Sequence, residues 1–178
     1  EAETADLLKR FTAACLALSA GRRKAAKALS AVVEKSLGKL GMEQTVFAVE
    51  LQEALDPQGL VQRGGQRWRA DEGGMEEVEF YISPNVGEAP RPLARIASGG
   101  ELSRLMLALK EVIADQDRVF ILVFDEIDTG VSGRVATAVG KKLRALASSH
   151  QIIAITHLPQ IAGLAHTHFS VRKSQRRG

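Results

Sequence analysis

A chain of 178 residues with 45% hydrophobic content is long enough for one domain and an appendage. Its formal charge of +3 is compatible with touching nucleic acid but does not argue for it, because binding follows clustered rather than total charge. One cysteine, Cys15, excludes an internal disulfide and suits a reducing cytoplasm, and no long apolar run or charged-then-apolar leader marks a membrane span or secretion signal.

The chain opens on Glu1 rather than Met, which suggests a stretch of something longer. Residues 1–40 are expected to be helical: Leu7, Leu8, Phe11, Cys15 and Leu18 recur at spacings of three and four, as do Ala25, Ala28, Leu29, Val32, Val33, Leu37 and Leu40. Gly21 interrupts the run and marks a candidate bend. Arg22, Arg23, Lys24 and Lys27 form a basic face, a solvated surface before it is a DNA contact. From Thr45 the period shortens to two. Alternation over 45–51, a Gly64-Gly65 turn between Val61 and Trp68, and alternation of Val78, Phe80 and Ile82 predict an antiparallel patch in which Trp68 packs. The Gly- and Pro-containing segment 87–92 reads as a linker.

Ser98-Gly99-Gly100-Glu101 then precedes a helical pattern carried by Leu102, Leu105, Met106, Leu109 and Val112 or Ile113, which Asp115-Gln116-Asp117 ends. Ser followed three residues later by Glu fits a capping box. A cap does not ask for two glycines; these permit close backbone approach to a ligand, and the helix start behind them favours phosphate. Residues 119–124 are six apolar residues without alternation, the pattern of a strand buried on both faces of a parallel sheet. Ligands of such sheets sit beyond the carboxyl ends of the strands. Asp125 and Glu126 stand there, one suited to a hydrated Mg²⁺ and the other to orienting and deprotonating a water, although a solvated acidic turn is also compatible. Asp128-Thr129-Gly130 continues as a loop, where Asp128 could cap a helix over 135–147. Residues 151–156 predict a second buried strand that ends at His157, beside the acids. His150, His166 and His168 have no carboxylate or cysteine at ligand spacing. A short strand at 169–171 and a basic tail from Arg172 are expected at the end of the chain, the tail without fixed structure.

The order of these motifs resembles that of the ATP-binding-cassette (ABC) ATPases. It is most similar to the head domain of the RecN family, bacterial recombination and DNA-repair proteins related to the structural-maintenance-of-chromosomes (SMC) ATPases. The residues that carry the resemblance are 96–104, 124–133 and 155–162, with Glu101 where transporter cassettes usually have Gln. The resemblance implies an α/β fold of the P-loop-NTPase type, the C-terminal lobe of an ABC ATPase head with a mostly parallel sheet, flanking helices and a small antiparallel patch. It divides the chain into 1–40, the end of a coiled-coil arm, and 41–178, the lobe. It assigns Glu126 as catalytic base, Asp125 to Mg²⁺ through water, His157 to the γ-phosphate, Asp128 to the D-loop at a dimer seam, and Ser98, Gly99, Gly100 and Glu101 to ATP bound by the opposite subunit.

No Gly-x-x-x-x-Gly-Lys-Ser/Thr occurs, since Gly38-Lys39 lacks both the earlier glycine and the hydroxyl residue. The expected partners are therefore an N-terminal P-loop lobe of the same protein, a second head, and DNA by resemblance, with no membrane and a cytoplasmic, nucleoid-associated location. Alone, the chain should be inactive or nearly so. A transporter nucleotide-binding domain and a non-catalytic structural or DNA-binding lobe remain as alternatives.

Overall fold

The helical period at the start of the chain produces a 38-residue helix, α1 (Ala2–Lys39), which runs through Gly21 without the expected break. A computed structural model describes residues 2–83, 85, 87–96, 98–114 and 116–172. Ala97 of the signature stretch, Asp115 of the expected helix stop and the tail 173–178 lie outside the described residues. These residues form two compact units, Glu1–Gly38 with Met42–Ala97, and Lys39–Gly41 with Ser98–Gly178. The division differs from one at residue 40, because the antiparallel strands group with α1.

In the first unit, β1 (Val46–Glu53) and β4 (Glu76–Ser83) pair antiparallel over eight residues, Val46 opposite Ser83 and Glu53 opposite Glu76. Part of the expected linker adds a third strand, β5 (Arg91–Pro92), at the far edge of β4, followed by a 3-10 turn at Leu93–Arg95. A separate hairpin, β2 (Val61–Arg63) and β3 (Gln66–Trp68), turns on Gly64 and Gly65, whose φ values of +61° and +78° favour glycine over residues with a Cβ. Trp68 packs on Cys15, Val61 and Met75, and the Arg63 guanidinium lies 4.3 Å from its ring centre.

The apolar positions of α1 divide. Cys15, Val33 and Leu37 are buried, whereas Leu7, Leu8, Leu18 and Val32 stay exposed. Its basic run is tied to the sheet. Arg22 binds Glu76 Oε2 at 3.2 Å and donates to Gly73 O at 2.7 Å, while Arg23 and Arg63 both pair with Glu53. Arg22 and Arg23 are thus committed inside the unit, while Lys24 and Lys27 of the expected basic face are exposed and make no such tie among the described residues.

In the second unit, α2 (Gly99–Ile113) leads to β6 (Ile121–Phe124), α3 (Gly133–Leu146), β7 (Gln151–Ala154) and the short α4 (Pro159–Ala162). β6 and β7 pair in parallel, Phe124 opposite Ala154, with α3 as the crossover. Leu105, Leu107, Ala108, Ile127, Val139 and Leu143 form the core. The buried face of α2 therefore takes in Leu107 and Ala108, while Val112 and Ile113 at its end are exposed.

The strands depart from expectation in one respect. Leu122 and Phe124 are buried, but Val123 is 61% exposed, and Ile121, Ile153 and Ile155 are exposed as well. Residues 119–124 and 151–156 are therefore not buried on both faces within this chain, because a two-stranded sheet has one face without a covering element. Phe169 and Val171 form no strand and are almost fully exposed.

Because the Glu76 side chain is fully buried and its other basic neighbour, Arg23, stands 4.0 Å away, Arg22→Ala should destabilise the fold by about 1–3 kcal/mol, the cost of removing a hydrogen-bond partner from a buried charged group. Replacing Lys24 by Ala should change it by less than about 0.5 kcal/mol. Urea unfolding of both variants measures the difference.

Candidate functional site

The parallel register brings the ends of β6 and β7 to one edge. Ile155 N donates to Phe124 O at 2.9 Å, so Asp125 and Glu126 leave the sheet beside Thr156 and His157. Parallel α/β sheets receive ligands at this edge.

Asp128 organises it. The residue is 5% exposed, and its Oδ2 accepts from the Thr156 hydroxyl at 2.5 Å and the His157 amide at 3.0 Å, with His157 Nδ1 at 3.2 Å. Burial pushes the Asp128 carboxyl up, but the Thr156 hydroxyl, the His157 amide and the His157 ring outweigh it and hold the group below its ordinary value. A carboxylate beside Nδ1 selects the forms of His157 with a proton on that nitrogen, which leaves Nε2 for an outside partner. The ring is 78% exposed. Thr156 Oγ1 also accepts from Leu158 N at 3.1 Å, fixing the turn before Pro159, the first residue of α4. Asp128 therefore does not cap α3, whose N-cap position is Ser132.

Asp125 and Glu126 are exposed. Asp125 Oδ1 accepts from Glu126 N at 2.8 Å, and Asp125 O accepts from the Ser103 hydroxyl at 2.5 Å. Glu126 has φ +56° and is the one non-glycine with positive φ among the described residues. The left-handed conformation costs a residue with a Cβ about 1–2 kcal/mol, and such strain concentrates at functional turns.

At the start of α2, Ser98 Oγ accepts from Glu101 N at 3.4 Å, the N-cap half of the expected capping box. Gly99 is exposed and Gly100 buried. A Cβ on Gly99 would lie 2.1 Å from Glu126 Oε2, so the Glu126 carboxylate rests against the positive end of the helix, where negative charge is favoured. A Cβ on Gly100 would lie 3.0 Å from both Glu126 O and Thr129 Cβ. The two glycines thus let the helix start meet the acidic loop.

Of the expected set, the structure joins Asp128 to His157, Glu126 to Gly99 and Gly100, Asp125 to Glu126, and Ser98 to Glu101. It adds Thr156, Ser103 and Arg104, to which no role had been given. Arg104 was the legible one, lying on the buried stripe that runs from Gly100 through Leu107 and Ala108. Among the described residues no group of three His, Cys, Asp or Glu could hold a metal, and no helix is long and apolar enough to cross a membrane.

A RecN DNA repair protein of Treponema pallidum is 45% identical over 173 residues, covering 97% of this chain and 29% of that protein. The counterpart in Mycobacterium tuberculosis is 41% identical over 185 residues, covering 100% of this chain and 32% of that protein. The chain is related to RecN. It spans less than a third of the length of these RecN proteins. RecN of Halalkalibacterium halodurans is 42% identical over 89% of the chain, again only 26% of that protein. The Smc head domain of Pyrococcus yayanosii, solved with a coiled coil and joint, has the same fold at a TM-score of 0.50 and 18% identity, over 79% of this chain and 23% of that one. The α/β arrangement is thus of the SMC-head kind. No protein-family model matches the chain.

Two outcomes follow from the geometry. Because the Asp128 carboxyl lies below its unfolded value near 3.9, its contribution to stability is present above that pH and lost as pH falls through the folded value. The acid-side decline in thermal stability should therefore be shallower in Asp128→Asn, measured as Tm against pH. Gly99→Ala displaces only the end of a flexible side chain and should fold normally, whereas Gly100→Ala presses on backbone and should cost about 1–3 kcal/mol in denaturant unfolding.

Proposed function

We propose that the full-length protein is an SMC-type ATPase acting in recombinational repair of DNA double-strand breaks, that it hydrolyses ATP as two heads close on nucleotide, and that this chain is the C-terminal half of one head. The observation that carries this is the parallel β6–β7 pair, which ends in Asp125-Glu126 and His157 at one edge. Glu126 would orient the attacking water and take its proton, and His157 Nε2 would meet the γ-phosphate. Ser98, Gly99, Gly100 and Glu101 would act on ATP held by the other head, once the Glu126 carboxylate gives up its place against Gly99.

Asp125 stands exposed, and among the described residues it belongs to no group of three His, Cys, Asp or Glu. That fits Mg²⁺ bound by one carboxylate through water with phosphate oxygens completing the shell, and does not fit an all-protein cage. When bound, the ion neutralises charge that develops on the phosphates.

The sequence holds no P-loop, so the main cradle for the β- and γ-phosphates belongs to another part of the protein. The exposed face of Ile121, Val123, Ile153 and Ile155 offers that part an apolar seat. The exposed leucines of α1 suit the returning strand of a coiled-coil arm. With Arg22 and Arg23 paired to acids, DNA contact is left to other surfaces, and the setting is the cytoplasm.

In the full-length protein, Glu126→Gln should lower ATP turnover by about 10²-fold or more while ATP-dependent head dimerisation persists. Wild-type turnover in the variant would overturn the assignment of the base, and absence of turnover in the unaltered protein would leave a binding lobe.

A further inference from the structure

We infer that Arg104 is a positioning residue of the nucleotide site proposed above, tying the first turns of α2 to the backbone on both sides of Asp128 so that the signature turn and His157 are held as one body. Arg104 Nη1 donates to Thr129 O at 2.9 Å and points to Ile127 O at 3.4 Å, the carbonyls that flank Asp128. Asp128 in turn holds Thr156 and His157. On the helix side, the point where a Cβ of Gly100 would stand lies 3.3 Å from Arg104 Nη1 and 3.0 Å from Thr129 Cβ, so no gap separates the helix start from the loop. The sequence of contacts runs from Gly100 through Arg104 and the loop to Asp128 and the histidine.

The chemistry of the residue points the same way. Arg104 is 7% exposed, and among the described residues no carboxylate is within ion-pair distance and its buried Nε has no partner. Burial pushes its pKa down from the ordinary value, and only the charge of Glu101 counteracts this. An apolar side chain of similar volume would fill the space without desolvating a cation. What it would not do is donate to two carbonyls of one loop, as the single nitrogen Nη1 does here from the end of a rigid planar group; Met has no such donor and Lys carries its own on a flexible stem. Sites that hold their reacting groups through such supporting contacts lose rate when the support is removed, even though no supporting atom touches substrate.

This inference takes the function of the site from the proposal above, while the tie itself is a matter of geometry, and the experiment separates the two. In the full-length protein, Arg104→Met should lower kcat for ATP by about ten- to a hundredfold, with KM within about twofold and Tm not reduced. Arg104→Lys, which keeps a charged donor on a flexible stem, should recover part of the rate; if the Met variant fails to fold, Arg104→Gln, too short to reach the two carbonyls, carries the test, and unchanged kcat in it then overturns the inference. Combined with Asp128→Asn, Arg104→Met should add little further loss, since both act through one loop. Wild-type kcat in Arg104→Met, or additive losses in the double variant, would overturn the inference. If the unaltered protein shows no ATP turnover, the proposed function fails instead. The tie is then read by hydrogen exchange, where Arg104→Met should speed exchange at the His157 and Leu158 amides and unchanged protection would refute it.

Discussion

A single carboxylate oxygen holds the edge of the second unit together. Asp128 Oδ2 receives the Thr156 hydroxyl and the His157 amide, with the His157 ring beside it. A buried carboxylate without such donors would be expensive to keep charged, and here the donors come from the loop that follows the neighbouring strand. The two loops leaving β6 and β7 are therefore joined by charge-assisted hydrogen bonds, not merely placed side by side. His157 owes its position to that junction, since its backbone amide is fixed by the same atom that lies beside its ring.

The start of α2 meets the same loop from another direction. Two glycines allow an approach that any Cβ at Gly99 or Gly100 would crowd, and Arg104 one turn later fills the angle between helix and loop. Glu126 sits where these constraints converge. Its carbonyl accepts from Thr129 N, its amide donates to Asp125, and its carboxylate lies against Gly99. It makes all three from a left-handed backbone, φ +56°.

Periodicity made the elements legible. Alternation at Val78, Phe80 and Ile82 marked β4, Gly64-Gly65 marked the β2–β3 hairpin, and the apolar runs before Asp125 and His157 marked the parallel pair. The motif order also indicated which loops share an edge, because parallel strands place successive carboxyl ends together. Contacts made by long polar side chains were not legible. Arg22 and Arg23 look like a solvated face until Glu76 and Glu53 arrive from strands 30 or more residues away. The helical register of Arg104 marks it for burial, but its carbonyl partners, 23 and 25 residues later, cannot be read from that register. The runs 119–124 and 151–156 have the composition of strands covered on both faces, and composition does not say whether the second cover belongs to the same stretch of chain. Gly21 misled for a different reason: one glycine lowers helix stability by about 1 kcal/mol, which the packing around Cys15, Val33 and Leu37 absorbs without a break.

The backbone at Glu126 bears on any effort to improve this protein. Glycine at that position would relieve the left-handed strain and remove a carboxylate from a crowded corner. A library screened only for heat resistance would therefore drift toward glycine there, and would discard the acid proposed as the base. Stability and the proposed chemistry pull this one codon in opposite directions.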